Sequence, residues 1–160
     1  ASKQVTQSAS ATVSGLAHLN GQVCRVRADS SVMANATPSS GAITLARTAT
    51  NIEVGINFDV TIKTMPASVT IDTGPVSVKK RRISRVSAQL HQSSGLKING
   101  KAVPNKNFGA NILGQAPESF TGIKTLPVLG YSKTAQVTIT QTDPLPLTLL
   151  GLTVELQVTG

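Results

Sequence analysis

Ala135-Gln136-Val137-Thr138-Ile139-Thr140-Gln141-Thr142-Asp143-Pro144-Leu145-Pro146-Leu147-Thr148-Leu149-Leu150-Gly151-Leu152-Thr153-Val154-Glu155-Leu156-Gln157-Val158-Thr159-Gly160 reads as strand, corner, strand. Ala135, Val137 and Ile139 alternate with Gln136, Thr138 and Thr140. After the corner, Leu150, Leu152, Val154, Leu156 and Val158 alternate with Gly151, Thr153, Glu155, Gln157 and Thr159. A period of two on both sides of a turn is the pattern of half-buried antiparallel strands. Pro144 and Pro146 lack an N–H and push Asp143 and Leu145 toward extended geometry, so the corner is stiff without being a two-residue hairpin. A strand this apolar on one face belongs in the sheet, and its removal should unfold the domain.

Working outward, 160 residues fit one domain, and a chain of that size buries about 70% of the surface its unfolded form exposes. The single cysteine, Cys24, has no internal disulfide partner, so folding does not depend on an oxidising compartment. No apolar run approaches the about 18 residues of a membrane span, and the opening residues contain no apolar stretch of signal-peptide type. The chain begins at Ala1 rather than Met, which points to initiator removal, processing or a piece of a longer polypeptide. Aromatic residues make up only 2%, namely Phe58, Phe108, Phe120 and Tyr131. Surfaces that stack sugars or bases need exposed aromatic faces, which weighs against a glycan-binding or base-stacking module.

Residues 1–14 are small, polar and aperiodic, and read as a flexible lead-in or linker; one β domain is expected over residues 15–160. Gly15 to Gly21 is a short apolar turn closed by Asn20-Gly21. In Gln22 to Ala28, Cys24, Val26 and Ala28 form an apolar face opposite Val23, Arg25 and Arg27. Asp29 to Ser40 reads as a loop. Gly41 to Leu45 is a short strand with Ile43 and Leu45 inward, and Asn51 to Phe58 is a second with Ile52, Val54, Ile56 and Phe58 on one face. Val60 and Ile62 continue the pattern, and Val69 to Gly74 is a candidate edge segment. Lys79 to Gln92 alternates, with Val86, Ala88 and Leu90 opposite Arg85, Ser87, Gln89 and His91. Residues 93–118 are least regular; Asn99-Gly100 offers a hairpin, but a surface excursion is the expected form of this stretch. Phe120 to Leu126 is strand-like. No ten-residue stretch has helical period, so the expected fold is all-β: an antiparallel sandwich or barrel-like domain of roughly eight to ten strands with long loops.

Little in the chain invites catalysis. Asp29, Glu53, Asp59, Asp72, Glu118, Asp143 and Glu155 stand at no metal or acid/base spacing. His18 and His91 lie far apart in sequence, and Cys24 on an apolar face reads as a small core residue. No phosphate-cradling glycine loop or serine elbow is present. The expectation is a protein that is not an enzyme, with no cofactor and no metal.

Charge is the one strong electrostatic feature. Lys79, Lys80, Arg81, Arg82 and Arg85 supply five of the formal net charge of +8, and neutralising them would leave +3. Five phosphate contacts would give a salt slope of about −4.5 on duplex DNA. These five residues are therefore the candidate contact for nucleic acid or for a neighbouring subunit. The plainer reading is a charged strand end that stops an edge from pairing, or a rim facing an acidic partner.

Several spaced motifs resemble the C-terminal domain of large virion proteins of tailed bacteriophages and prophages, of the tail hub, nozzle or head-to-tail stabilising kind. They are Gly15 to Gly21, Val26-Arg27-Ala28-Asp29, Gly41 to Leu45, Val54 to Phe58, Lys63-Thr64-Met65-Pro66, the Arg85 to Gly95 stretch, and above all Gln141 to Leu152 with its Asp-Pro-Leu-Pro-Leu-Thr corner. The resemblance spans nearly the whole chain after residue 14. It departs at Ser30, where such sequences usually place Gly, at Ile56-Asn57-Phe58 in place of Leu-x-Tyr, and in the low aromatic content of residues 104–131. It implies a non-enzymatic structural component of a phage tail or head-tail assembly, located in the virion and assembled in the host cytoplasm. Its implied partners are copies of itself in a homo-oligomeric ring and other tail or connector proteins. The alternatives are a module binding host-surface glycan, or one making non-specific DNA contact through residues 79–85.

Overall fold

The computed structural model describes residues 1–67, 70–71, 74–75, 80–104, 116 and 118–158. The chain is all-β, built from antiparallel sheets, as its alternating patterns predict. The described residues gather in two compact units with separate cores. Unit 1 contains Ala1–Asp59, Asn105–Glu118 and Thr142–Leu145; unit 2 contains Val60–Pro104, Ser119–Gln141 and Pro146–Gly160.

Unit 1 holds strands β1 (Ser2–Ser14), β2 (Cys24–Ala28), β3 (Ser31–Val32) and β4 (Ala42–Ile56), with one 3-10 turn at Ala17–Leu19. Their order in the sheet is β1-β4-β2-β3. Strand β2 alternates as its sequence predicts: Cys24, Val26 and Ala28 are buried and Arg25 and Arg27 half-buried. Residues 1–14 are the first correction. Instead of a lead-in they form β1, paired with β4 from Ser2↔Gly55 to Ser14↔Ala42. An edge strand needs only one covered face, and here Val5 and Val13 suffice to anchor it while ladder hydrogen bonds hold its polar remainder. The second correction is that Gly41–Leu45 and Asn51–Phe58 fuse into the single strand β4. Its inward residues change parity from Ile43, Leu45 and Ala49 to Ile52 and Val54, next to register irregularities in the β1 pairing. Ile56 and Phe58 are 45% and 78% exposed, because pairing ends at Cys24↔Ile56 and the chain leaves the sheet there.

The apolar turn near the start plugs this core: Leu16 and Leu19 are fully buried beside Val13, Val26 and Ile52. Leu16 N–H donates to Gly41 O at 2.8 Å, and Gly41 N–H donates to Asn20 Oδ1 at 2.8 Å. Gly41 has φ +74° and an added Cβ would lie 3.3 Å from Ala17 N, so only glycine fits this approach. Ser40-Gly41 is, among the described residues, one of three two-residue reversals with positive φ at both central positions; the others are Asp29-Ser30 and Asn99-Gly100. Such turns match the right-handed twist of the strands they join. Asp29–Ser40 is therefore not a plain loop: it contains the β2–β3 hairpin and a bridge from Cys24 to Ala36.

Unit 2 holds β5 (Val60–Lys63), β6 (Thr70–Ile71), β7 (Gly74–Pro75), β8 (Arg81–Ser93), β9 (Lys97–Ile98), β10 (Lys101–Ala102), β11 (Phe120–Pro127), β12 (Tyr131–Ser132), β13 (Thr138–Gln141) and β14 (Leu149–Val158). One sheet runs β10-β9-β13-β5; in the other, β8 is central, with β11 and β12 along one side and β14 along the other. Val86, Ala88 and Leu90 face a core shared with Leu96, Ile98, Val103, Val137 and Ile139, so the two sheets make a sandwich. The opening strand-corner-strand stretch links them: β13 lies in one sheet and β14 in the other.

Bulges refine the alternation. Glu155 pairs with Arg85 and Leu156 with Ile83, leaving Ser84 as an extra residue; inward positions shift from Arg81 and Ile83 to Val86, Ala88 and Leu90. A second irregularity near Gln92 returns Ser93 to the interior, where its Oγ accepts from Thr148 N–H at 2.8 Å and donates to Thr148 O. In β14, Leu149 pairs with Leu90 and Gly151 with Gln89, so Leu150 is extra. It is 60% exposed rather than on the apolar face, while Leu152, Val154 and Leu156 pack on the core as expected. Residues 94–104 are not a surface excursion: Leu96, Ile98 and Val103 are buried around the Asn99-Gly100 hairpin. The rest of that stretch, 105–115 and 117, lies outside the described residues, as do Val69, Asp72, Thr73 and Lys79.

Candidate functional site

The five basic residues singled out in the sequence do not share one face. Lys79 lies outside the described residues. Lys80 is exposed at the entry to β8. Arg81 points inward and is 3% exposed, its Nε–H donating to Lys133 O at 2.8 Å and its terminal N–H groups to Lys133 O and Ala67 O. Arg82, on the opposite face, lies over the Tyr131 ring at 5.8 Å from its centroid, within cation–π range. Its Nε is buried with no hydrogen-bond partner among the described residues. Arg85 is exposed and stands 3.9 Å from Glu155 across the β8–β14 pair. Strand alternation, which turns consecutive side chains to opposite faces, splits the run.

The structure relocates the charge. In unit 2, the described residues include nine Lys and Arg (Lys63, Lys80, Arg81, Arg82, Arg85, Lys97, Lys101, Lys124 and Lys133) and a single carboxylate, Glu155. In unit 1, the described Lys3, Arg25, Arg27 and Arg47 stand against Asp29, Glu53, Asp59, Glu118 and Asp143. Most of those are engaged locally: Arg25 lies 3.5 Å from both Asp59 and Asp143, Arg27 donates to Glu53 at 2.8 Å, and Arg47 lies 3.8 Å from Asp29. The basic character is therefore a property of unit 2 as a whole, wider than residues 79–85.

Arg81 also borders a cavity of about 300 Å³ in unit 2. Lys63 from β5, Asn99 from the hairpin turn, and Tyr131, Ser132 and Thr134 from the segment around β12 line it with Arg81, and among the described residues no carboxylate does. Ser132 and Thr134 hydroxyls lie 3.0 Å apart, and Asn99 Oδ1 accepts from Thr138 N–H at 2.8 Å. The cavity is absent from the sequence reading. Its residues lie far apart in the chain, and no local pattern links Lys63 to Tyr131.

Other candidates resolve into structural roles. Cys24 is a free, fully buried thiol whose pKa burial raises. Asp29 holds the β2–β3 turn against β4, accepting from Asn51 N–H at 2.9 Å and from Thr50 Oγ1 at 2.9 Å; these bonds, that from Asn51 foremost, hold its carboxyl below the usual range. Among the described residues, no three His, Cys, Asp or Glu side chains gather as a metal site, and no helix is long and apolar enough to cross a membrane. No protein-family model matches the chain, and no curated protein matches it.

Proposed function

We propose that the protein is a structural, non-enzymatic component of a bacteriophage tail or head-tail assembly, acting by self-association and contacts with other virion proteins. One observation carries this reading: the long outer strands. β14, of ten residues, and β11, of eight, each pair only with β8 among the described residues, and β1, of thirteen, pairs only with β4. Outer strands of this length present rows of backbone donors and acceptors that a neighbouring subunit can extend. β14 carries no Pro or Lys to discourage such pairing. The resemblance centred on the Gln141–Leu152 corner supports the same reading, and copies joined through two different edges form a ring where the rotation between them closes.

Light scattering after size exclusion, at two protein and two salt concentrations, tests it. A discrete oligomer is the expected result; a monomer under every condition overturns self-association through these edges. A second reading, nucleic-acid contact, is favoured by the excess of cations in unit 2. It predicts salt-sensitive retention on DNA that falls when Lys80, Arg82 and Arg85 are changed together to Gln.

A further inference from the structure

We propose that the cavity of unit 2 is a binding site for a phosphate-class oxyanion. The reasoning begins at Arg81. Charged side chains are rarely this buried unless paired, because leaving a charge without compensation in the interior is costly. Arg81 is 3% exposed, yet the acceptors it meets among the described residues are neutral carbonyls, those of Lys133 and Ala67. Those bonds occupy three of the five N–H donors a guanidinium carries. The other two meet no acceptor among the described residues, and Arg81 lines the adjoining space. That space is lined by a second cation, Lys63, and by the polar residues Ser132, Thr134 and Asn99. Donors and cations without a carboxylate are the chemistry of oxyanion recognition, and the planar guanidinium suits two-point contact with phosphate oxygens.

Size and field agree with this. A cavity of about 300 Å³ exceeds the needs of a bare phosphate and leaves room for the group it is attached to. Arg82 over the Tyr131 ring adds positive potential at the wall, and the cation excess of unit 2 concentrates anions around it. The site is independent of the assembly reading, since it uses none of the outer strand edges. The phosphate can come from a free phosphate or phosphomonoester, or from a nucleic-acid backbone; the shared chemistry is the oxyanion.

The test is a titration of the whole chain with inorganic phosphate at constant ionic strength, followed by calorimetry and by Tm, with chloride as the reference. Saturable binding with a rise in Tm beyond chloride is expected. Lys63→Met, an exposed position whose loss should leave the unliganded Tm unchanged, should weaken binding about tenfold, the effect of one charge-assisted bond. Arg81→Lys, which keeps the charge but not the fork, should weaken it at least as much. Lys101→Gln, outside the cavity, should have no effect. A short single-stranded oligonucleotide gives the second arm: tighter binding than phosphate, lost in Lys63→Met, identifies a backbone as the source, and none identifies a free phosphate. A response to phosphate no larger than to chloride, or one unaltered by Lys63→Met, overturns the site.

Discussion

Ser30 carries φ +64° in the two-residue turn between β2 and β3, a backbone state that costs an L-residue about 1–2 kcal/mol and glycine almost nothing. Ser30→Gly should therefore stabilise unit 1, by about 0.5–1 kcal/mol after glycine's greater unfolded-state entropy is subtracted. Urea midpoints at matched m-values would show it, and a loss of stability would mean that the turn tolerates serine without strain. The neighbouring Asp29 gives a pH signature. A carboxyl whose folded pKa lies below its unfolded value adds stability that is complete above the ordinary carboxylate range and is lost as pH falls through the folded value. Asp29→Asn should flatten the acid limb of stability against pH, and an unchanged limb would show that Asp29 contributes nothing to it. Neither effect was legible in the sequence, where Asp29 to Ser40 reads as a loop and nothing shows that the hairpin reverses within two residues.

Strand β14 sets two leucines against each other. Leu152 packs on the core of unit 2, while Leu150 is extruded by the bulge opposite Leu90 and Gln89. Leu152→Asp should destabilise unit 2 by about 2 kcal/mol or more, because it sets an unpaired carboxylate at a half-buried position against the core. Leu150→Asp should change stability by no more than about 0.5 kcal/mol. Circular dichroism melts of both variants decide whether the bulge is where the register places it. The alternation that predicts β14 was plain in the sequence because it repeats over ten residues. The bulge was not, since an extra Leu before Gly151 alters the register without altering residue types. β1 escaped for the opposite reason: a single covered face at a sheet edge demands so few apolar residues that Ser and Thr dilute the period below notice. Gly122 carries a similar hidden constraint, with φ +142° and the Phe120 ring 3.0 Å from where a Cβ would stand.

At the scale of the molecule, two cores imply two separately perturbable cooperative units. Leu19→Ala in unit 1 and Leu90→Ala in unit 2 each remove a fully or almost fully buried side chain and should each cost about 2–5 kcal/mol. Native-state hydrogen exchange should show the loss of protection confined to β1–β4 in the first and to the strands of unit 2 in the second. Loss spread evenly over both would mean that the cores are energetically one. Fold class was open to sequence reading because strand periodicity is local. The split into units and the cavity were not, because both depend on which distant strands meet, and the global net charge concealed how unevenly the two units carry it.

The placement of β8 has a consequence for how the protein is made. The core residues of unit 1 are all in hand once Val54 has been synthesised, but β8 waits for β11 at Phe120–Pro127 and for β14 at Leu149–Val158. At ribosomal speeds of about 5–20 residues per second, the interval between β8 and its last partner is several seconds. Throughout it, a thirteen-residue strand with Ile83, Val86 and Leu90 exposed is available to other nascent chains. Arg81, Arg82 and Arg85 near its start put charge beside that apolar run, the placement by which gatekeeper residues discourage pairing with other chains.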